Sequence, residues 1–238
     1  MKITLTDGKI LELPEGTTVA GVASAISEGL RRNAIAGKVN GRLVDLSHAL
    51  KEDAEVVIVT AKDPEALNIY RHTCAHVLAQ AVKSIYPTCS LAIGPTIDTG
   101  FYYDIDFKTP ITIDDLPKIE EEMKKIIKAD LAVERFELPR EDAIALMKKY
   151  KEPYKVQLIK DLPEDSVISF YRQGDFTDLC RGPHLPSTGL IKAFKLTSIA
   201  GAYWRGNEKN KMLTRIYGTA FFKKADMEAY FTMLEEAK

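Results

Sequence analysis

The stretch MKITLTDGKILEL, residues 1–13, decides how the first part of the chain folds. Met1 to Leu5 and Ile10 to Leu13 are short alternating apolar runs, and the Asp7-Gly8 pair between them is a hairpin signal. Thr17 and Thr18 next offer side-chain oxygens to cap a helix, with Val19, Val22, Ala23 and Ile26 at helical spacing. Lys38-Val39-Asn40-Gly41-Arg42-Leu43-Val44 is a second hairpin, turned at Asn-Gly. Glu55 to Thr60 (EVVIVT) reads as a closing strand buried on both faces. This order of elements predicts a small domain over residues 1–62.

Ala61-Lys62-Asp63-Pro64 is a short linker, with Asp63 placed to N-cap a helix and Pro64 to open it. That helix is expected from Glu65 to Tyr86, stopping at Pro87. Its packing stripe is Leu67, Tyr70, Cys74, Val77, Leu78, Ala81 and Ile85. At roughly 100° per residue, His72 and His76 lie about 40° apart and nearly opposite this stripe. The pattern beyond is mixed. Asp114 to Ala129, Arg140 to Tyr150 and Ala225 to Lys238 read as helices; Val133 to Leu138, Val167 to Arg172, Ala193 to Thr197 and Met212 to Ile216 read as strands. Strict alternation is missing, so residues 63–238 are expected to form a larger α+β domain with a mostly antiparallel sheet.

The 238 residues suffice for two unequal domains with sizeable cores. Lys plus Arg total 33 against 34 Asp plus Glu, a net charge of -1 that argues against a broad nucleic-acid-coating surface. The start reads as a strand and turn rather than a signal peptide, and no apolar run approaches the ~18 residues needed to span a bilayer. Three cysteines, an odd number, do not suggest a disulfide framework, so a reducing cytoplasm is expected.

Three of the four histidines fall in His72-Thr-Cys-Ala-His76 and Cys180-Arg-Gly-Pro-His184. Paired imidazoles at i, i+4 on a helix project side by side toward a common metal, water or substrate. Gly182 and Pro183 make the second pair a tight loop rather than a helix. Imidazole and thiolate are zinc donors, so the quartet His72, His76, Cys180 and His184 suits a tetrahedral site, and spacing alone leaves it open against a metal-free acid-base site. Asp178, two before Cys180, shares its strand face if the strand runs through. Lys155, read by itself, is a solvated surface lysine.

The element order of residues 1–62 resembles a ubiquitin-like β-grasp, and in particular the TGS domain. Ala92-Ile-Gly-Pro95, Gly100-Phe-Tyr-Tyr-Asp104, Ala200-Gly-Ala-Tyr-Trp-Arg-Gly206 and Arg215-Ile-Tyr-Gly-Thr219 join the two histidine motifs in sequence. Together they resemble the N-terminal half of bacterial-type threonyl-tRNA synthetases, a TGS domain followed by an editing domain, with the final helix leading to an aminoacylation core absent here. The resemblance implies hydrolysis of the ester of seryl-tRNA(Thr), in the cytoplasm, on the 3′ end of a mischarged threonine-specific tRNA. It implies His72, Lys155, Asp178 and Cys180 as catalytic residues: His72 activates water, Lys155 stabilises the oxyanion or the leaving ribose oxygen, and Asp178 orients water or binds the serine ammonium. It implies His76, His184 and Tyr103 as substrate-binding, with Tyr103 stacking on or bonding to the terminal adenosine. No metal is expected at the editing site, the quartet being the alternative zinc site. The zinc and ATP of the family belong to the missing core, and the full-length family is dimeric. Competing readings are a zinc-stapled RNA-binding module without activity, an alanyl-type zinc-dependent deacylase, and a regulatory β-grasp protein.

Overall fold

Gly8, at φ 84°, turns the chain between β1 (Lys2–Thr4) and β2 (Ile10–Glu12), which pair antiparallel as the Asp7-Gly8 signal predicts. Thr18 then N-caps α1 (Val19–Ile26), its hydroxyl accepting from the Gly21 N–H. Val19, Val22 and Ala23 are buried, whereas Ile26 is exposed. The helix stops there because Ser27 caps a second short helix, α2 (Glu28–Asn33), that was not expected. Asn40 and Gly41, at φ 49° and 84°, form the left-handed turn joining β3 (Ala34–Val39) to β4 (Arg42–Asp45). In β5 (Ala54–Thr60), Val56 and Val59 are buried but Val57 and Ile58 only half so.

The structure, a computed structural model, describes all 238 residues. It divides into two units: Met1–Tyr70 with Gly182–Pro186, and Arg71–Arg181 with Ser187–Lys238. The first unit holds a sheet ordered β2-β1-β5-β3-β4, with β1 and β5 parallel and the other pairs antiparallel. Two apolar clusters fill it, one around Val19, Ala23, Ala34, Val44 and Leu46, the other around Ile3, Val22, Leu50 and Val56.

Leading into the second unit is α3 (Ala66–Ile85). Asp63 does not cap it forward; its carboxylate turns back to accept from the Thr60 N–H at 2.7 Å. From Ile69 to Val82 this helix is buried almost all round. The expected stripe is therefore only one face of what it buries, and the histidine side is covered too. There follow β6 (Ser90–Leu91), β7 (Thr96–Ile97), β8 (Gly100–Asp106), α4 (Leu116–Lys128), β9 (Glu134–Glu137), α5 (Arg140–Lys149) and α6 (Pro153–Asp161). Completing the unit are β10 (Ser169–Gln173), β11 (Phe176–Leu179), β12 (Ala193–Tyr203), β13 (Met212–Phe221) and α7 (Lys224–Glu236). Two antiparallel sheets result, ordered β11-β10-β9 and β12-β13-β8-β6, with β7 on β8. The fold is α+β, as expected. No helix is long and apolar enough to cross a membrane.

Candidate active site

Helix α3 supplies the first side of the site. His72 and His76, one turn apart, bring their rings edge to face with centroids 5.3 Å apart. The polar residues on this side stay inside because other elements meet them: Arg71 Nε donates to the Ala220 carbonyl at 2.9 Å, and Gln80 pairs with Gln173.

Strand β8 supplies the second side. It was not expected as a strand, because Gly100 to Asp106 (GFYYDID) is buried on both faces and lacks alternation. Gly100 packs so closely under Gly218 that a Cβ there would lie 2.0 Å from the Gly218 carbonyl oxygen. Asp104 faces Arg215 across the β8–β13 ladder in a two-pronged ion pair at 2.8 and 2.9 Å. Tyr103, next along β8, is fully buried, its ring so near Gly94 that a Cβ there would stand 2.2 Å from Cδ2. No ring face is left for a nucleobase, which corrects the stacking expected of Tyr103.

Helix α6 supplies the third side and was also not expected. Pro153 opens it at a position where its missing N–H costs nothing, and Tyr154, Val156 and Ile159 pack inward. Tyr154 is pinned by its hydroxyl to Asp106 at 2.7 Å and by its ring to Trp204. Lys155, only 3% exposed, is no solvated surface lysine. Its ammonium donates to Tyr103 Oη at 2.9 Å and pairs with Asp178 Oδ1 at 2.9 Å.

Asp178 closes the network from β11, where it pairs across the ladder with Tyr171. Its Oδ2 accepts from the Tyr103 hydroxyl at 2.6 Å and lies 3.6 Å from His76 Nε2. Burial alone would raise this carboxyl, but Lys155, His76 and the hydrogen bonds from Tyr103 and Lys155 outweigh it and hold Asp178 below the usual carboxylate range. Burial, and then the Asp178 charge, push the Tyr103 hydroxyl well above its ordinary value, so it remains a donor. The strand ends at Leu179, so Cys180 does not share a strand face with Asp178 as expected. Cys180 instead hangs on β10, its N–H donating to the Ser169 carbonyl and its own carbonyl accepting from Ser169 Oγ at 2.6 Å. Its Sγ lies 3.4 Å from His72 Nε2.

Both helical histidines are neutral at physiological pH. Burial lowers His72 to about 4 and His76 to about 3, against the raising pull of Asp178. His72 is thus a poorer base than its ordinary value near neutrality suggested. Its neutral ring nitrogens still accept and donate hydrogen bonds.

Within the second unit, His72, His76 and Cys180 bring two imidazoles and a thiol within 4.8 Å of one another, donors of the kind that zinc takes. His184 lies on the segment Gly182–Pro186, which clusters with the first unit. It is buried there, and its backbone N–H donates to Asp45 Oδ1 at 2.9 Å. One group that sequence reading passed over is Glu152, a buried carboxylate three residues before Lys155. Its only signal was an acidic residue directly ahead of a helix-opening proline.

Residues 1–60 match the TGS domain family, and residues 168–217 match the threonyl and alanyl tRNA synthetase second additional domain. Across all 238 residues the chain is 60% identical to the threonine–tRNA ligase of Acetivibrio thermocellus and covers 38% of it. It is 59% identical to the enzyme so named in Clostridium tetani and 58% identical to that of Clostridioides difficile, again over its whole length and over 37% of each relative. The chain thus spans little more than a third of the curated relatives it matches.

Proposed function

We propose that this chain is the TGS and second-additional-domain part of a threonyl-tRNA synthetase and that it hydrolyses the ester of seryl-tRNA(Thr). The need is physical: serine lacks one methyl of threonine, and a methylene-sized difference yields only ~1–3 kcal/mol of discrimination, so a second site must remove the wrong ester. The observation that carries the reading is the buried Lys155–Asp178–Tyr103 network beside the neutral His72 and Cys180.

Hydrolysis requires a water oxygen to attack the ester carbonyl, a donor for the oxyanion, and a proton for the departing ribose oxygen. His72 positions the water through a neutral ring nitrogen. Lys155, aimed by Asp178 and Tyr103, meets the oxyanion or the ribose oxygen; a preoriented ammonium needs no reorganisation when charge develops. Both oxygens of Asp178 are engaged inside the protein, so its part is to hold Lys155 and His76 rather than to grip the serine ammonium. His76 supports Asp178, and Cys180 forms a wall beside His72. The reaction belongs in the cytoplasm, where charged tRNA is used.

The three zinc donors favour a second reading, an alanyl-type site in which His72, His76 and Cys180 hold zinc. The ion would then polarise the attacking water. Elemental analysis decides: one zinc per chain whose chelation abolishes hydrolysis supports it, and full hydrolysis in chelator excludes it. The main reading predicts that His72→Ala and Lys155→Ala each slow deacylation by roughly 100-fold or more. Unchanged rates in both would sink these roles.

A further inference from the structure

Glu152 is buried, and its carboxylate has partners on two other elements, β6 and α3. It stands immediately before α6, and its carbonyl accepts the first helical bond there, from the Val156 N–H at 3.1 Å. Its Oε1 accepts from the Leu91 N–H of β6 at 3.0 Å. Its Oε2 lies 3.4 Å from Lys83 Nζ on α3. Lys83 also donates to the Cys89 carbonyl, which secures the turn between α3 and β6. Lys83 and His72 are eleven residues apart on one helix, close to three full turns, so they lie on the same side of it.

We infer that Glu152 is a positioning residue for the site: it ties the first turn of α6 to β6 and α3, and so sets the Lys155 ammonium against Asp178 and Tyr103. The Tyr154 hydroxyl on Asp106 and the Tyr154 ring on Trp204 hold the same turn, and Glu152 adds ties to β6 and α3. The first turn of α6 leaves backbone donors unpaired, and Glu152 provides no side-chain cap for them. Its carboxylate reaches outward instead. The two charged pairs also balance, with Lys83 against Glu152 and Lys155 against Asp178. Only the rate test below rests on the editing reading.

Partial acetylation of the full chain, read lysine by lysine by mass spectrometry, tests the placement directly. Lys155 is protected in the parent chain and stays so in E152Q, which keeps the reach and an acceptor for the Leu91 N–H. In E152A, and in the milder E152D should E152A fail to fold, Lys155 labels at least about fivefold faster through local opening, while exposed Lys124 is unchanged. In seryl-tRNA hydrolysis, E152D lowers kcat about tenfold with KM held, E152Q largely restores it, and E152D adds nothing in a Lys155→Ala background. Lys155 equally protected in every variant, or losses of E152D and Lys155→Ala that simply add, would overturn the inference. A parent chain that hydrolyses no ester would instead overturn the editing reading, and the labelling would still decide the role of Glu152.

Discussion

Lys155 and Asp178 form a buried ion pair, and such pairs behave asymmetrically. Breaking one leaves an uncompensated charge at a cost of about 3–5 kcal/mol, while replacing both with apolar side chains is often neutral. Lys155→Ala is therefore expected to lower unfolding stability by about that amount, and Lys155→Met combined with Asp178→Leu to recover most of it. Urea unfolding of the two variants is the check. Hydrolysis stays lost in both, which separates the stabilising part of the pair from its chemistry. The histidines give a second prediction. His72 and His76 titrate near 4 and 3 in the fold, against about 6.5 in an unfolded chain, so below that value the unfolded state binds more protons. Their contribution is complete above pH 6.5 and is lost as pH falls toward 4, at roughly 1.4 kcal/mol per pH unit for each. Unfolding measured in chelator at pH 7 and pH 5 should show this slope, and His76→Gln should flatten it. None of these environments was legible locally. The residue types of the quartet stand out in sequence, but burial of Lys155 depends on β8, β11 and α6 meeting, which no spacing encodes.

Elements whose periodicity and punctuation agree were readable: the two hairpins at Asp7-Gly8 and Asn40-Gly41, the Thr18-capped helix, and α3 between Pro64 and Pro87. Missed elements lack one signal or the other. Strand β8 has no alternation because both faces are buried, and α6 was hidden by a proline opening and by a lysine on its inward side. Even α3 was half read, since its polar side is buried against partners from distant parts of the chain. The paired approach of Gly94 to Tyr103 gives a test at this scale. The chain around Gly94 is fastened to β8, with the Asp104 N–H donating to the Ile93 carbonyl at 2.8 Å and the Ala92 N–H to the Asp104 carbonyl at 2.9 Å. A methyl at Gly94 has no room unless Tyr103 moves. Gly94→Ala is expected to cost about 1–3 kcal/mol by overpacking. It should also slow hydrolysis, because Tyr103 carries a hydrogen bond to each of Lys155 and Asp178. A variant with parental stability and rate would show that Tyr103 is not held as described.

Over the whole molecule, a nearly neutral chain carries a compact charged network in its second unit and a β-grasp unit with cores of its own. The segment Gly182–Pro186 belongs by its contacts to that first unit, although sequence reading assigned His184 to the second. Its tie is testable: Asp45→Ala should speed hydrogen exchange at the His184 amide by about tenfold, with little change in β3. Without a strong net charge, affinity for tRNA would rest on few phosphate contacts, so hydrolysis by this chain should fall only shallowly with salt. The most direct measurement incubates the chain separately with Ser-tRNA(Thr) and Thr-tRNA(Thr) at low ionic strength and follows each ester. Selective loss of the serine ester, abolished by Lys155→Ala, is the predicted result. Equal loss of both esters, or survival of both at enzyme excess, would contradict it.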